Sequence, residues 1–109
     1  KYVDRETSFT AKIDTGASLC IFKHEIAEEL GIEVENSEIA QRVRNANGDI
    51  FKVFGHFVTI EIGDFEFECL VYFAGNFVAA NVFGKRGFLD KFRIAIDDNE
   101  GKLFLSEYN

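Results

Sequence analysis

Residues 11–20 read Ala-Lys-Ile-Asp-Thr-Gly-Ala-Ser-Leu-Cys (AKIDTGASLC). Upstream and into this stretch, Phe9, Ala11 and Ile13 alternate with Thr10 and Lys12, the period-two pattern of a half-buried strand over 8–13. Such a strand delivers Asp14 to its end, where Gly16, Ala17 and Ser18 keep the chain small, and Leu19 to Phe22 then reads as a second strand. Asp-Thr-Gly alone can be an ordinary turn, because Asp bonds the backbone two residues on and Gly accepts unusual dihedrals. The tripeptide arises by chance on the order of once in fifty chains of this length. Its setting says more: an acid at the end of an apolar strand, on a small-residue loop, is where a carboxylate can be tuned and approached. The hydroxyls of Thr15 and Ser18 could hold the loop or the carboxylate itself.

Outward from this stretch, His24 to Leu30 predicts a short helix with Ile26, Ala27 and Leu30 on one face and Gly31 as its terminator. Ile39 to Arg44 predicts a strand leading to Asn47-Gly48, the strongest two-residue hairpin signal. Ile50 to Ile62 follows as strand, with Gly55 marking a bulge or bend. After the Gly63-Asp64 turn, strict alternation places Phe65, Phe67, Cys69, Val71 and Phe73 on one face. Val78 to Phe83 reads as strand and Phe88 to Phe92 as a helical turn or two. Arg93 to Asp97 and Lys102 to Leu105 close the chain as two strands around a turn. Seven or more short strands with tight turns predict a β-rich domain that closes on itself.

The chain of 109 residues is expected to be one domain, and its start at Lys1 suggests excision from something longer. A net charge of −7, with no basic run longer than Lys85-Arg86, argues against a nucleic-acid partner, which needs phosphate neutralisation. No apolar run reaches membrane-spanning length, so no membrane partner is expected, and the cytoplasm is only the default location. Cys20 and Cys69 read as free buried thiols rather than a disulfide. With His24 and His56 they have the residue types of a zinc site without its compact spacing, so no metal is expected. Glu25, Glu28 and Glu29 read as a solvated helix face, and Gly84-Lys85-Arg86-Gly87 lacks the pattern of a phosphate loop.

Asp14-Thr15-Gly16-Ala17-Ser18, between apolar strands, resembles the active-site loop of the single-domain, retropepsin-like aspartic peptidases. Asn81 to Phe92, with Phe83-Gly84-Lys85 at its centre, is similar to that family's glycine motif and following short helix. Ala46-Asn47-Gly48-Asp49, with Gly55 behind it, is similar to the flap that covers substrate. Two positions depart from the family pattern. Ser18 stands where retroviral members often carry a second acid, and Phe83 where they carry Leu or Ile.

The resemblance implies a mainly β fold, a small closed barrel of the acid-protease type with one or two short helices, and peptide hydrolysis without a cofactor. That chemistry uses two carboxylates sharing a proton, yet the chain has one Asp-Thr-Gly. Asp64, Asp90 and Asp97 read as solvated turn residues, so the expected partner of Asp14 is Asp14 of a second copy in a C2 homodimer. Thr15 is then implied to bond across the axis. The substrate is expected to be an extended peptide or protein segment. The rival readings are a silent retropepsin-like domain that binds peptides or dimerises, and a β domain in which Asp14 only makes a turn.

Overall fold

Around Gly63-Asp64 the sequence folds as its alternation dictates. The structure is a computed structural model describing residues 1–44, 47–75, 80–97 and 99–108. In it β4 (Ile50–Ile62) and β5 (Phe65–Ala74) pair antiparallel from Ile62–Phe65 back to Val53–Ala74. Gly63 takes φ 56° at the turn, a conformation open to glycine. Cys69, Val71 and Phe73 are buried, with Phe65 and Phe67 packed beside them, as the alternation predicts.

The main core joins that face of β5 to Val58 and Ile60 of β4, to Phe22, Phe83, Phe88 and Phe92, and to helix α1 (His24–Leu30) through Ile26, Ala27 and Leu30. Edge-to-face contacts tie the rings together, with Phe22 set against Phe9, Phe73 and Phe83 at centroid distances of 4.8, 6.0 and 5.5 Å. Gly31 ends α1 in the left-handed conformation, φ 73°, and Ile32 N–H reaches Ala27 O. A smaller cluster of Leu19, Val53, Tyr72 and Ala74 occupies the opposite face.

Long-range pairing sets the topology. β1 (Ala11–Ile13) runs parallel to β6 (Asn81–Phe83), β6 runs antiparallel to β2 (Ile21–Phe22), and β2 runs parallel to β5. With β3 (Ala40–Arg44) beside β4, the sheet order is β1-β6-β2-β5-β4-β3. One late strand, β6, is therefore threaded between the two strands that flank the Asp14 loop.

Among the described residues the sheet curls into a half-barrel with β1 and β3 at its edges, β7 (Phe92–Asp97) pairs with β8 (Lys102–Glu107) in a separate hairpin, and no closed barrel is shown. One short α-helix is present among the described residues, within the one or two expected. Other expectations need correction. The 84–91 segment is turns, in which Leu89 N–H bonds Gly84 O and Asp90 N–H bonds Lys85 O. Gly55 is no bulge, because the ladders on both sides of β4 keep constant register. Its missing side chain instead admits Ile39, whose Cγ2 would lie 2.8 Å from a Cβ there. The first strand is shorter than its pattern, as Thr10 O is taken by the Asn81 side chain rather than by a ladder.

Candidate active site

Asp14 follows β1 directly, and its N–H continues the β1–β6 ladder by donating to Phe83 O at 3.0 Å. Beyond it the chain turns back: Ala17 N–H donates to Asp14 O at 3.1 Å, and Gly16 N–H donates to Asp14 Oδ1 at 2.9 Å. The carboxylate is thus held by main chain two residues on, while Thr15, Gly16 and Ser18 are exposed and Asp14 and Ala17 half-buried.

The loop's far side is fixed by Phe83-Gly84-Lys85. Lys85 N–H donates to Ala17 O at 2.9 Å and Arg86 N–H to Ser18 O at 3.0 Å, and Leu19 bridges Arg86. Gly84 is there because nothing larger fits: a Cβ would collide with Leu19 O and lie 2.7 Å from its carbonyl carbon and 2.8 Å from its nitrogen. All these are backbone atoms, which cannot swing away as a side chain can. The Asp14 loop and the glycine motif, 70 positions apart in sequence, are one packed unit.

Asn81 completes the brace, a role the sequence reading missed. It is a buried polar residue at 7% exposure, its Oδ1 accepting Lys23 N–H at 2.7 Å and its Nδ2 donating to Thr10 O at 3.2 Å. One amide therefore links the residues just outside both flanking strands. An amide among apolar neighbours inside the strand predicted over Val78 to Phe83 was the available signal.

Opposite the loop stands β3. Gly16, Ala17 and Ser18 form one bank of a groove of about 450 Å³, and Gln41 to Arg44 form the other. The β3–β4 connection carries Asn47, Gly48 and Asp49; Ala46 lies outside the described residues, as does Phe77. This connection spans five residues between paired Arg44 and Ile50, so the two-residue Asn-Gly hairpin is not formed; Gly48 alone of Asn47-Gly48 has positive φ, 87°. A second hollow, of about 530 Å³ and lined by Ala11 and Phe83, also holds Glu6 and Glu61, but both carboxylates face Lys1 Nζ, at 4.0 and 3.6 Å.

The expected turn aspartates are engaged locally. Asp90 Oδ1 accepts Gly87 N–H and Asp97 Oδ1 accepts Glu100 N–H, each at 3.1 Å, while Asp64 is exposed in its turn. Cys20 and Cys69 are free and buried, close enough for Gly87 to sit against both sulfurs. The hydrogen bond between the thiols pulls the Cys20 pKa down and pushes that of Cys69 up, and burial raises Cys69 further. Among the described residues no three His, Cys, Asp or Glu side chains converge on a metal-sized site, and no helix is long and apolar enough to cross a membrane.

A family profile described as Aspartyl protease matches residues 3–93, spanning both the Asp14 loop and the glycine motif braced against it. The chain belongs to the aspartyl protease family. No curated protein and no solved structure gives a match. For this aspartyl protease domain, family membership supports a peptidase hydrolase in general, on a mainly β scaffold.

Proposed function

We propose that the domain is a homodimeric aspartic endopeptidase in which Asp14 of each copy supplies one of the two catalytic carboxylates. The observation carrying this reading is the Asp14 loop itself: an acid fixed by main-chain bonds, backed by Gly84 and open beside a groove. A purely structural turn has no need of that brace. The one-chain alternatives are weakened by the local engagement of Asp90 and Asp97. The β7–β8 hairpin adds support for a second copy, since Ile96 and Phe104 are 64% and 55% exposed there. Exposed apolar side chains on an unpaired strand edge are surface that a partner would cover.

With two Asp14 carboxylates a few ångströms apart, like charges prevent both from ionising, so one holds a proton. The ionised member takes a proton from water as that water attacks the scissile carbonyl, and the protonated member donates to the carbonyl oxygen. Proton transfer to the amine then completes hydrolysis. Thr15, exposed at the tip of the loop, is assigned to bond its counterpart across the axis. Asn47, Gly48 and Asp49 are assigned to cover an extended peptide lying between the loop and β3.

The test is cleavage of a peptide library across pH ~3 to 7 by the native chain and by Asp14→Asn, with solution size measured for both. The pH sweep is needed because the apparent pKa values belong to the carboxylate pair. Loss of about 10³-fold or more in cleavage, with the dimer intact, is expected. Full activity in Asp14→Asn would remove the catalytic assignment. A dimer that binds peptides and cleaves none would establish the silent binding domain instead.

A further inference from the structure

The chain has two cysteines and neither methionine nor tryptophan, so its readily oxidised sulfur is confined to Cys20 and Cys69. The fold brings the two together. Phe22 pairs with Phe73 across the parallel strands β2 and β5, and Cys20 and Cys69 enter the same core beside that pair. Both are free, at 0% and 1% exposure. A Cβ added to Gly87 would lie 3.0 Å from the Cys69 sulfur and 3.6 Å from that of Cys20, so a single glycine is packed against both.

What the thiols hold ties them to the Asp14 loop. Cys20 Sγ–H donates to Arg86 O at 3.4 Å, and Cys69 Sγ–H, shared with the Cys20 sulfur, reaches Gly87 O at 3.3 Å. Arg86 is therefore held on two sides, since its N–H donates to Ser18 O at 3.0 Å while its carbonyl takes the Cys20 proton. Lys85, just before it, donates to Ala17 O. The segment that grips the Asp14 loop is itself gripped, from the core side, by the cysteine pair.

A disulfide carries no S–H. Joining the two sulfurs takes a donor from each of the Arg86 and Gly87 carbonyls, and the fixed geometry of the bond draws β2 and β5 into a new relation beside Gly87.

We infer that Cys20 and Cys69 are a peroxide-sensitive clasp on the glycine motif: reduced, they hold Arg86 and Gly87 in the shape that fixes the Asp14 loop, and oxidised to a disulfide they release it. The slowing of catalysis that follows rests on the peptidase reading above; formation of the bond does not. The hydrogen bond from Cys69 favours the thiolate of Cys20, which makes Cys20 the attacking sulfur. Its Sγ takes one oxygen of hydrogen peroxide as the O–O bond breaks, and the other oxygen leaves as water with the Cys20 proton. Cys69 Sγ then attacks the resulting sulfenic acid, the S–S bond forms, and the hydroxyl leaves as a second water with the Cys69 proton. The two thiols together lose two electrons, which the peroxide gains. Burial of both sulfurs restricts the reaction to an oxidant near the size of water.

The test treats the native chain with hydrogen peroxide and follows it by mass spectrometry without reductant, by amide hydrogen exchange and by peptide cleavage. An intramolecular Cys20–Cys69 bond is expected, with faster exchange at the Lys85 and Arg86 amides. Cleavage should fall about tenfold or more in kcat with KM little changed, as expected of a loosened catalytic loop. Dithiothreitol should reverse all three changes, a control that needs no variant. Cys20→Ser and Cys69→Ser each keep a donor but cannot cross-link, so peroxide should leave each with the exchange and rate it started from. Thiols that stay reduced under peroxide that oxidises the unfolded chain would overturn the inference. So would a bond between copies, oxidation of one sulfur without the bond, or a disulfide that leaves exchange and rate unchanged. Failure of the peptidase reading looks different: the chain cleaves nothing in either state, while the disulfide and the exchange at Lys85 and Arg86 still decide the clasp.

Discussion

The Asp14 loop and the β7–β8 hairpin are both built from short strands, yet the chain treats them in opposite ways. The loop is gripped from within by Phe83, Lys85 and Arg86 through main-chain bonds and by Leu19 pressed onto Gly84. The hairpin turns Phe92, Ile94 and Leu105 to the core but leaves Ile96, Leu103 and Phe104 in water. In the proposed mechanism half of a catalytic pair must arrive already shaped, because positioning errors of a fraction of an ångström cost rate. Surface that the proposed second copy would cover has no such demand until the copies meet. The contrast teaches where this domain is complete alone and where it is proposed to depend on its partner.

Breaking the gripped side should have the largest effect. Gly84→Ala drives a methyl into the Leu19 backbone and is expected to cost about 3 kcal/mol or more, with activity lost along with folding, as thermal or denaturant unfolding will show. Asn81→Ala should come next. It strands Lys23 N–H and Thr10 O, for about 2 kcal/mol, and should lower catalytic rate more than substrate affinity by loosening the loop's flanks. Gly55→Ala tests a milder contact, since the obstructing Ile39 atom is a movable side-chain methyl; about 1 kcal/mol is expected. On the open side, Ile96→Ser with Phe104→Ser should change the stability of the isolated chain by no more than about 0.5 kcal/mol. The same pair of changes should weaken self-association at least about tenfold, measured by sedimentation. If the hairpin variant unfolds the chain, or the Gly84 variant leaves it untouched, the division between the two regions is wrong.

How much of this was legible in the sequence follows the same division between local and distant effects. The helix over His24 to Leu30 with its Gly31 stop, the Gly63-Asp64 turn and the buried face of Phe65 to Phe73 are local patterns, and all are present. What the pattern could not say is which strand lies beside which. The insertion of β6 between β1 and β2, the collision that makes Gly84 a glycine, and the Asn81 brace each join residues some 60 to 70 positions apart. Barrel closure is out of reach for the same reason, since alternation reports a strand's faces and not its edges, and no closed barrel is shown among the described residues. Gly55 illustrates the limit well: the missing Cβ was noticed, but a close neighbour, Ile39, explains it rather than a bulge.

The central claim is that one active site requires Asp14 from two chains, and mixing tests it most directly. The native chain is held at fixed concentration, Asp14→Asn is added, and the subunits are allowed to exchange while cleavage of a good peptide is followed. With an equal amount of variant, random pairing leaves about half of the native chains with native partners. Cleavage should then fall to about half, and continue falling as more variant is added. Cleavage that stays constant, set by the native chain alone however much variant is present, would show that Asp14 works without a second copy of itself and would contradict the account.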